Sequence, residues 1–173
     1  LYWFECPADP TQRWTPHVIT DRFRKYHDQA AGDVDGDGKI EIVFASQGAR
    51  VVGYFDLPAD PTLSPWPEEN LHIVAQDILI EGVAVADLDG DGENEILAGP
   101  NIFERQADGA WTRQPLPIDL DPATCVAVGD LTGDGALDIV LSEGELDSAR
   151  VVWLKGPGWT PTVLGEGFFH AHS

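Results

Sequence analysis

Residues 33–41 read Asp-Val-Asp-Gly-Asp-Gly-Lys-Ile-Glu, and two further stretches of the chain repeat this pattern. The second copy, residues 87–95, reads Asp-Leu-Asp-Gly-Asp-Gly-Glu-Asn-Glu, and the third, residues 130–138, reads Asp-Leu-Thr-Gly-Asp-Gly-Ala-Leu-Asp. Each copy follows a run of small apolar residues and precedes a short apolar run rich in isoleucine, valine and leucine. The chain therefore contains one strand–acidic loop–strand unit three times, and this unit decides the fold.

The acidic loops have the chemistry of a site for a hard cation. Calcium takes six to eight oxygen ligands from carboxylates, backbone carbonyls and water, and the glycines permit the positive φ values that such a tight loop needs. We assign side-chain ligands to loop positions 1, 3, 5 and 9 and a backbone carbonyl to position 7. The predicted ligands are Asp33, Asp35, Asp37, Lys39 and Glu41 in the first loop, Asp87, Asp89, Asp91, Glu93 and Glu95 in the second, and Asp130, Thr132, Asp134, Ala136 and Asp138 in the third. Because Thr132 replaces an acid, the third site is the weakest, and we expect two to three structural Ca²⁺ ions.

The loops have two other possible interpretations, an EF-hand and a plain turn. An EF-hand loop needs a bidentate glutamate at position 12 and helices on both sides, whereas position 12 here is Phe44, Ala98 or Leu141 and the flanks have no helical period. The second alternative is a plain Asp-Gly turn whose acids are merely solvated. Three copies in matched register disfavour it, since clustered like charges repel one another when no cation is present.

Length and charge limit the classes of function. A chain of 173 residues is expected to form one domain. Its formal net charge of −20, with only 10 Lys and Arg residues, disfavours nucleic acid as a partner, because such binding depends on basic residues that neutralise phosphates. An anionic membrane surface is disfavoured for the same reason. No apolar run approaches the roughly 18–20 residues of a membrane span, so no membrane insertion is expected.

Repeat spacing predicts an all-β fold, namely a segment of a β-propeller. The first Asp of each loop follows the previous one by 54 and then 43 residues, and each repeat has room for four short strands. Four antiparallel strands in such a period are typical of a propeller blade. Within the segment 1–173 we predict a partial blade at 1–20, whole blades at 27–75, 82–117 and 124–164, and the start of a further blade at 167–173. About three whole blades do not close a ring, so we expect the remainder of the propeller or a partner chain to complete it.

Asp-x-Asp-Gly-Asp-Gly between strands, in repeats of about 50 residues, resembles the FG-GAP/VCBS repeat family, which includes the calcium-binding blades of integrin α-subunits. The resemblance covers nearly the whole chain and implies calcium in the acidic loops on one face, with ligands contacted by loops on the opposite face. One departure is that Glu41 and Glu95 stand at position 9, where the family usually has Asp. The family spans adhesion, carbohydrate binding and some polysaccharide lyases, so the fold by itself does not fix the activity.

Two further segments are candidates for a ligand or catalytic site. Residues 22–27 read Arg-Phe-Arg-Lys-Tyr-His and are expected to lie opposite the calcium loops. The candidate ligand-binding residues are Arg22, Arg24 and Lys25, which would pair with carboxylate or sulfate groups, and the candidate catalytic residues are Tyr26, His27, His170 and His172. The alternatives are a solvated loop that balances nearby acids and histidines at ordinary polar positions.

The sequence favours a non-enzymatic calcium-binding module of a secreted or surface protein, serving as a ligand-binding or scaffold domain for carbohydrate or protein. An extracellular, periplasmic or cell-surface location is expected because millimolar calcium fills even weak sites. The alternative is a propeller-fold polysaccharide lyase acting on uronate-containing glycans, with the basic segment neutralising the uronate carboxylate and Tyr26 or a histidine as the base. A third interpretation is protein–protein adhesion with a calcium-dependent partner.

Overall fold

The computed structural model describes residues 1–172, which form fourteen β-strands and a single 3₁₀ turn, Glu68–Asn70. The strands are β1 Tyr2–Glu5, β2 Thr15–Val18, β3 Tyr26–Gly32, β4 Glu41–Ser46, β5 Val51–Asp56, β6 Leu71–Gln76, β7 Val83–Ala86, β8 Glu95–Ala98, β9 Asn101–Arg105, β10 Trp111–Pro115, β11 Thr124–Gly129, β12 Asp138–Glu143, β13 Ala149–Lys155 and β14 Thr160–Phe168. In this part of the chain no helix is long and apolar enough to cross a bilayer.

The strands form four antiparallel sheets, each built from strands that follow one another in the chain. Sheet I pairs β1 with β2, sheet II runs β3-β4-β5-β6, sheet III runs β7-β8-β9-β10, and sheet IV runs β11-β12-β13-β14. The all-β class predicted from the repeat spacing is therefore confirmed. Each acidic loop joins the first strand of a four-stranded sheet to the second.

The first strands of sheets II, III and IV lie side by side. Strand β7 contacts β3 on one side and β11 on the other, and small residues make this approach possible. A Cβ added at Gly32 would lie 2.4 Å from Cγ1 of Val85, and one added at Gly82, just before β7, would lie 2.8 Å from the carbonyl oxygen of Thr124. The small-residue runs that precede the acidic loops therefore serve to pack these three strands closely.

The hydrophobic core lies between successive sheets rather than at one centre. Val43 and Val52 of sheet II pack in one cluster with Ile96 and Phe103 of sheet III. The other face of sheet III meets sheet IV in a second cluster, where Leu97 and Ile102 join Ile139 and Leu141. A third cluster buries Ile19, Phe44 and Trp66 between sheets I and II.

Sheet I repeats the last two strands of sheet II. His17 of β2 stacks on Trp3 of β1 with ring centroids 4.5 Å apart, and His72 of β6 stacks on Tyr54 of β5 at 4.7 Å. Each imidazole also lies 3.0 Å from an acid, Glu5 or Asp56, on or beside the neighbouring strand. Sheet I is thus the equivalent of half a four-stranded sheet.

The structure differs from the sequence prediction at the C-terminus. We predicted that residues 167–173 begin a new first strand, but Gly167 and Phe168 complete β14, and Phe168 pairs with Ala149 beyond an irregularity in the ladder. Residues 169–172 form no strand, and Ser173 lies outside the described residues. The physical reason is that the long strand β13 pairs with this backbone before the chain can leave the sheet.

Candidate metal centres

The first acidic loop is folded around the carboxylate of Asp33. This carboxylate accepts hydrogen bonds from the backbone N–H groups of Gly36 at 2.8 Å and Gly38 at 2.9 Å, and both glycines have positive φ, 78° and 82°. Carboxylate oxygens of Asp33, Asp35 and Asp37 lie within 4.8 Å of one another. Three converging carboxylates fit a hard divalent cation.

The second loop has the same arrangement of backbone hydrogen bonds as the first. Asp87 accepts from the N–H groups of Gly90 at 2.8 Å and Gly92 at 3.0 Å. Here the carboxylates that converge within 4.8 Å are those of Asp87, Asp89 and Glu95, so the two loops gather different subsets of the predicted ligands.

The first two loops also touch one another. The side-chain amide of Asn94 donates to the carbonyl oxygen of Asp33 at 2.7 Å, and the guanidinium of Arg105 donates to the carbonyl oxygen of Asp35 at 2.9 Å. The two acid groups therefore lie on the same side of the molecule, at neighbouring sheets.

The acids at position 9 are buried, unlike the others. Glu41 is 2% exposed and Glu95 5% exposed, and each accepts a hydrogen bond from the backbone N–H at loop position 2, Val34 or Leu88. Burial, reinforced by the neighbouring aspartates, raises the pKa of Glu41 and of Glu95 to about 7. In the first loop the converging group consists of the three aspartates, and Glu41 is not a member of it.

The third loop is arranged differently. The ammonium of Lys155 lies 2.9 Å from Asp134, and its hydrogen bond is the main reason why the pKa of Asp134 falls to about 2. Both oxygens of buried Asp138 accept backbone hydrogen bonds, from Leu131 at 3.1 Å and Gly156 at 2.9 Å. Within residues 1–172 no converging group includes these acids, so this loop is the least suited to a cation.

The basic segment does not form one convergent patch. Arg22 lies 3.9 Å from Glu68, and Lys25 lies 3.8 Å from Glu145. Arg24 is exposed, and its carbonyl oxygen accepts from the hydroxyl of Ser46. Two of the three charges therefore face acids of the same chain.

Tyr26 is poorly placed to act as a base. Its ring packs edge-on against Phe23 and Phe44, and its hydroxyl is buried with no hydrogen-bond partner among the described residues. Burial raises the pKa of this phenol, which disfavours the phenolate that proton abstraction requires.

The structure brings together two of the three candidate histidines. His27 and His172 line one cavity of about 190 Å³, together with Asp28, Glu81 and Cys125. His170 instead lies 3.5 Å from Asp147 and does not line that cavity.

Sequence reasoning missed Glu81 and Glu145. The imidazole Nδ1 of His27 lies 3.6 Å from a carboxylate oxygen of Glu81, and ligand atoms of His27, Glu81 and Glu145 lie within 4.8 Å of one another. Burial raises the pKa of Glu81, His27 opposes that rise, and Glu145 adds to it. The available sequence signal was a lone acid between Ile80 and Gly82 in an otherwise apolar run.

Comparison with known proteins supports the repeat. Residues 33–98 match the family model described as FG-GAP-like repeat, which confirms the family resemblance over the first two acidic loops. A search of curated proteins found no match to this sequence. Among solved structures, the chain is similar to the crystal structure of the V. cholerae biofilm matrix protein Bap1, with 19% identity and a TM-score of 0.38, over 73% of this chain and 26% of that one. The chain thus spans about a quarter of the length of that structure.

Proposed function

We propose that this chain is a calcium-binding β-propeller segment of a secreted or surface protein, and that it acts as a scaffold that presents a binding face for carbohydrate or protein. The observation that carries the proposal is the pair of acid groups in the FG-GAP-like region, Asp33 with Asp35 and Asp37, and Asp87 with Asp89 and Glu95. The two groups occupy equivalent loops of adjacent sheets. In each loop, a backbone N–H group donates a hydrogen bond to the carboxylate of the first Asp.

Calcium at these two loops would be structural. It would neutralise carboxylates that otherwise repel one another, and it would hold two loops that Asn94 already connects. Lys39 and Glu93 would contribute backbone carbonyls, and Asp91 would complete the second set. In the third loop no group of three carboxylates converges within residues 1–172, so we assign two ions to the chain rather than three.

The propeller assignment rests on how the sheets are arranged. Successive four-stranded sheets with adjacent first strands and hydrophobic cores between them are the arrangement of propeller blades. Sheet I has only two strands, and an open arc leaves sheet edges that favour pairing. We therefore propose that the rest of the propeller or a partner chain completes the ring.

The same chemistry supports an extracellular, periplasmic or cell-surface location. Loops rich in acids on a chain of net charge −20 suit the millimolar calcium found outside cells. The binding face would be the one opposite the acidic loops, where the family usually binds its ligands.

A polysaccharide lyase is the less supported alternative. The buried hydroxyl of Tyr26 leaves the predicted tyrosine base without the exposure it needs. Arg22 and Lys25 are exposed, but they lie 3.9 and 3.8 Å from acids of the same chain. A scaffold role requires neither a catalytic base nor basic groups that bind a uronate carboxylate.

The test is a calcium titration of the folded chain, with thermal melting in excess Ca²⁺, in Mg²⁺ and in EDTA. We expect two Ca²⁺ per chain and a rise in melting temperature with Ca²⁺ but not with Mg²⁺. A ligand bound only by the folded state at about 100 times its dissociation constant adds about 2.7 kcal/mol per site.

Matched variants locate the ions. Asp33→Asn and Asp87→Asn should each remove one Ca²⁺, whereas Asp130→Asn, the equivalent change in the third loop, should leave the stoichiometry at two. A cooperative melt that does not respond to Ca²⁺ would reject the calcium assignment.

A further inference from the structure

A second group of metal-ligating side chains lies at the other end of β3. His27 is the second residue of that strand, whereas Asp33 follows its last residue, so the two places are about 20 Å apart at roughly 3.3 Å per residue. His27 belongs to sheet II, Glu81 precedes the first strand of sheet III, and Glu145 lies between β12 and β13 of sheet IV. Ligand atoms of these three side chains lie within 4.8 Å of one another.

Only one of the two carboxylate oxygens of Glu81 is hydrogen-bonded among the described residues. Only 2% of the side chain is exposed, and one carboxylate oxygen accepts from the side-chain amide of Gln47 at 2.6 Å. The other oxygen is buried with no hydrogen-bond partner within residues 1–172. Burying a carboxylate is costly unless the charge is paired or coordinates a metal, and the separation of 3.6 Å from His27 is too long for a hydrogen bond.

The backbone next to Glu81 is hydrogen-bonded, and the backbone next to Glu145 is closely packed. The N–H of Gly82 donates to the carbonyl oxygen of Thr124 at 3.0 Å, and its own carbonyl accepts from the N–H of Gly99 at 2.9 Å. A Cβ added at Gly144 would lie 2.9 Å from the imidazole of His172. Glu81 therefore precedes a residue that is hydrogen-bonded on both sides, and His172 packs directly beside the turn that carries Glu145.

We propose that His27, Glu81 and Glu145 form a binding site for a divalent transition metal of the zinc class, with His172 on the wall of the same cavity. Imidazole nitrogen combined with carboxylate oxygen suits zinc and its neighbours, whereas calcium takes oxygen ligands only. Three protein ligands leave a coordination position open toward the cavity of about 190 Å³. Gln47 would orient Glu81 from outside the ligand set.

One contact competes with the metal. The ammonium of Lys25 lies 3.8 Å from Glu145, and both side chains are about half exposed. Such surface pairs contribute little to stability, so a bound cation would displace the lysine readily.

The test uses the whole chain in excess Ca²⁺, which fills the acidic loops, and titrates Zn²⁺ in competition with a chromogenic chelator. We expect one Zn²⁺ per chain. Glu145→Gln and Glu81→Gln should each weaken Zn²⁺ binding by more than about tenfold, since even changes outside the ligand set cost 10–100-fold. Because Glu145 is exposed, we expect its variant to fold. The Glu145 variant therefore still tests the proposal if the Glu81 variant does not fold.

His170→Gln is the matched control, because His170 is two residues from His172 and outside the cavity. It should leave Zn²⁺ affinity unchanged. A folded wild-type chain that binds no Zn²⁺, or Zn²⁺ that stays equally tight in the Glu145 variant, would overturn the proposal. The calcium titration is read separately, so failure at either centre leaves the other standing.

Discussion

The carboxylate of Glu41 accepts a hydrogen bond of 2.8 Å from the backbone nitrogen of Val34, seven residues earlier. Glu95 makes the same bond to Leu88 at 2.7 Å, and Asp138 makes it to Leu131 at 3.1 Å. The last acid of each loop therefore fixes the loop's second residue in all three repeats. This contact ties the end of each loop back to its beginning.

These buried glutamates predict a pH-dependent stability for the metal-free chain. The pKa values of Glu41 and Glu95 are raised from 4.5 to about 7, so between those values the folded state binds more protons than the unfolded state. Stability must then fall as the pH rises from about 4.5 to about 7. Melting temperatures measured in EGTA from pH 5 to pH 8 should decline by several degrees and then level off.

The Glu41→Gln/Glu95→Gln variant is the control for this effect. It keeps an acceptor for Val34 and Leu88 but cannot titrate, so its decline should be shallower than that of the wild type. An equally steep decline would assign the pH dependence to other groups.

Two substitutions should enable the third loop to bind a calcium ion. Thr132 takes the place of an acid, and the Lys155 ammonium lies 2.9 Å from Asp134. The double change Thr132→Asp/Lys155→Gln restores the acid and removes the competing charge. We expect calcium stoichiometry, measured by equilibrium dialysis, to rise from two to three, whereas Lys155→Gln alone should leave it at two. Unchanged stoichiometry in the double variant would mean that the buried position of Asp138 prevents a site here.

The packing of β3 on β7 can be tested at Gly32. A Cβ there would lie 2.4 Å from Cγ1 of Val85, and overpacking of this kind costs about 1–3 kcal/mol. Gly32→Ala should lower the unfolding free energy in urea by that amount, and Val85→Ala in the same chain should restore part of it. If the effects of the two changes on the unfolding free energy are strictly additive, the close contact between Gly32 and Val85 is contradicted.

The ion pair between Glu143 and Arg150 is a structural anchor of sheet IV. Glu143 is 1% exposed and accepts hydrogen bonds of 2.9 and 2.7 Å from the Arg150 guanidinium, which holds the pKa of Glu143 below its usual value. Arg150→Met leaves a buried carboxylate unpaired and should destabilise the chain by about 3–5 kcal/mol. The double variant Arg150→Met/Glu143→Leu, measured by urea unfolding, should recover much of that loss.

Tyr26→Phe separates a scaffold from a lyase. The variant removes a buried hydroxyl that has no partner among the described residues, so the melting temperature should stay the same or rise. Incubation of the wild-type chain with uronate-containing polysaccharides should produce no absorbance from unsaturated sugars. Absorbance that appears with the wild type and disappears in Tyr26→Phe would establish the lyase instead.

The sequence by itself determined the repeat, the acidic loops and the all-β class. These features are local: the spacing of Asp and Gly within nine residues sets the loop geometry, and the alternation of small, acidic and β-branched runs sets the strands around it. The matching hydrogen bonds of Asp33 and Asp87 follow from that pattern alone.

Only the tertiary structure decided which side chains meet. Lys155 reaches Asp134 from another strand, and Lys25 reaches Glu145 across two sheets, so the third loop and the basic segment carry ion pairs that their own residues did not predict. The group of His27, Glu81 and Glu145 comes from three sheets and has no spacing in the chain that could reveal it. Its convergence depends on the close packing of β3, β7 and β11, because that packing, rather than any local pattern, brings the ends of the three sheets together.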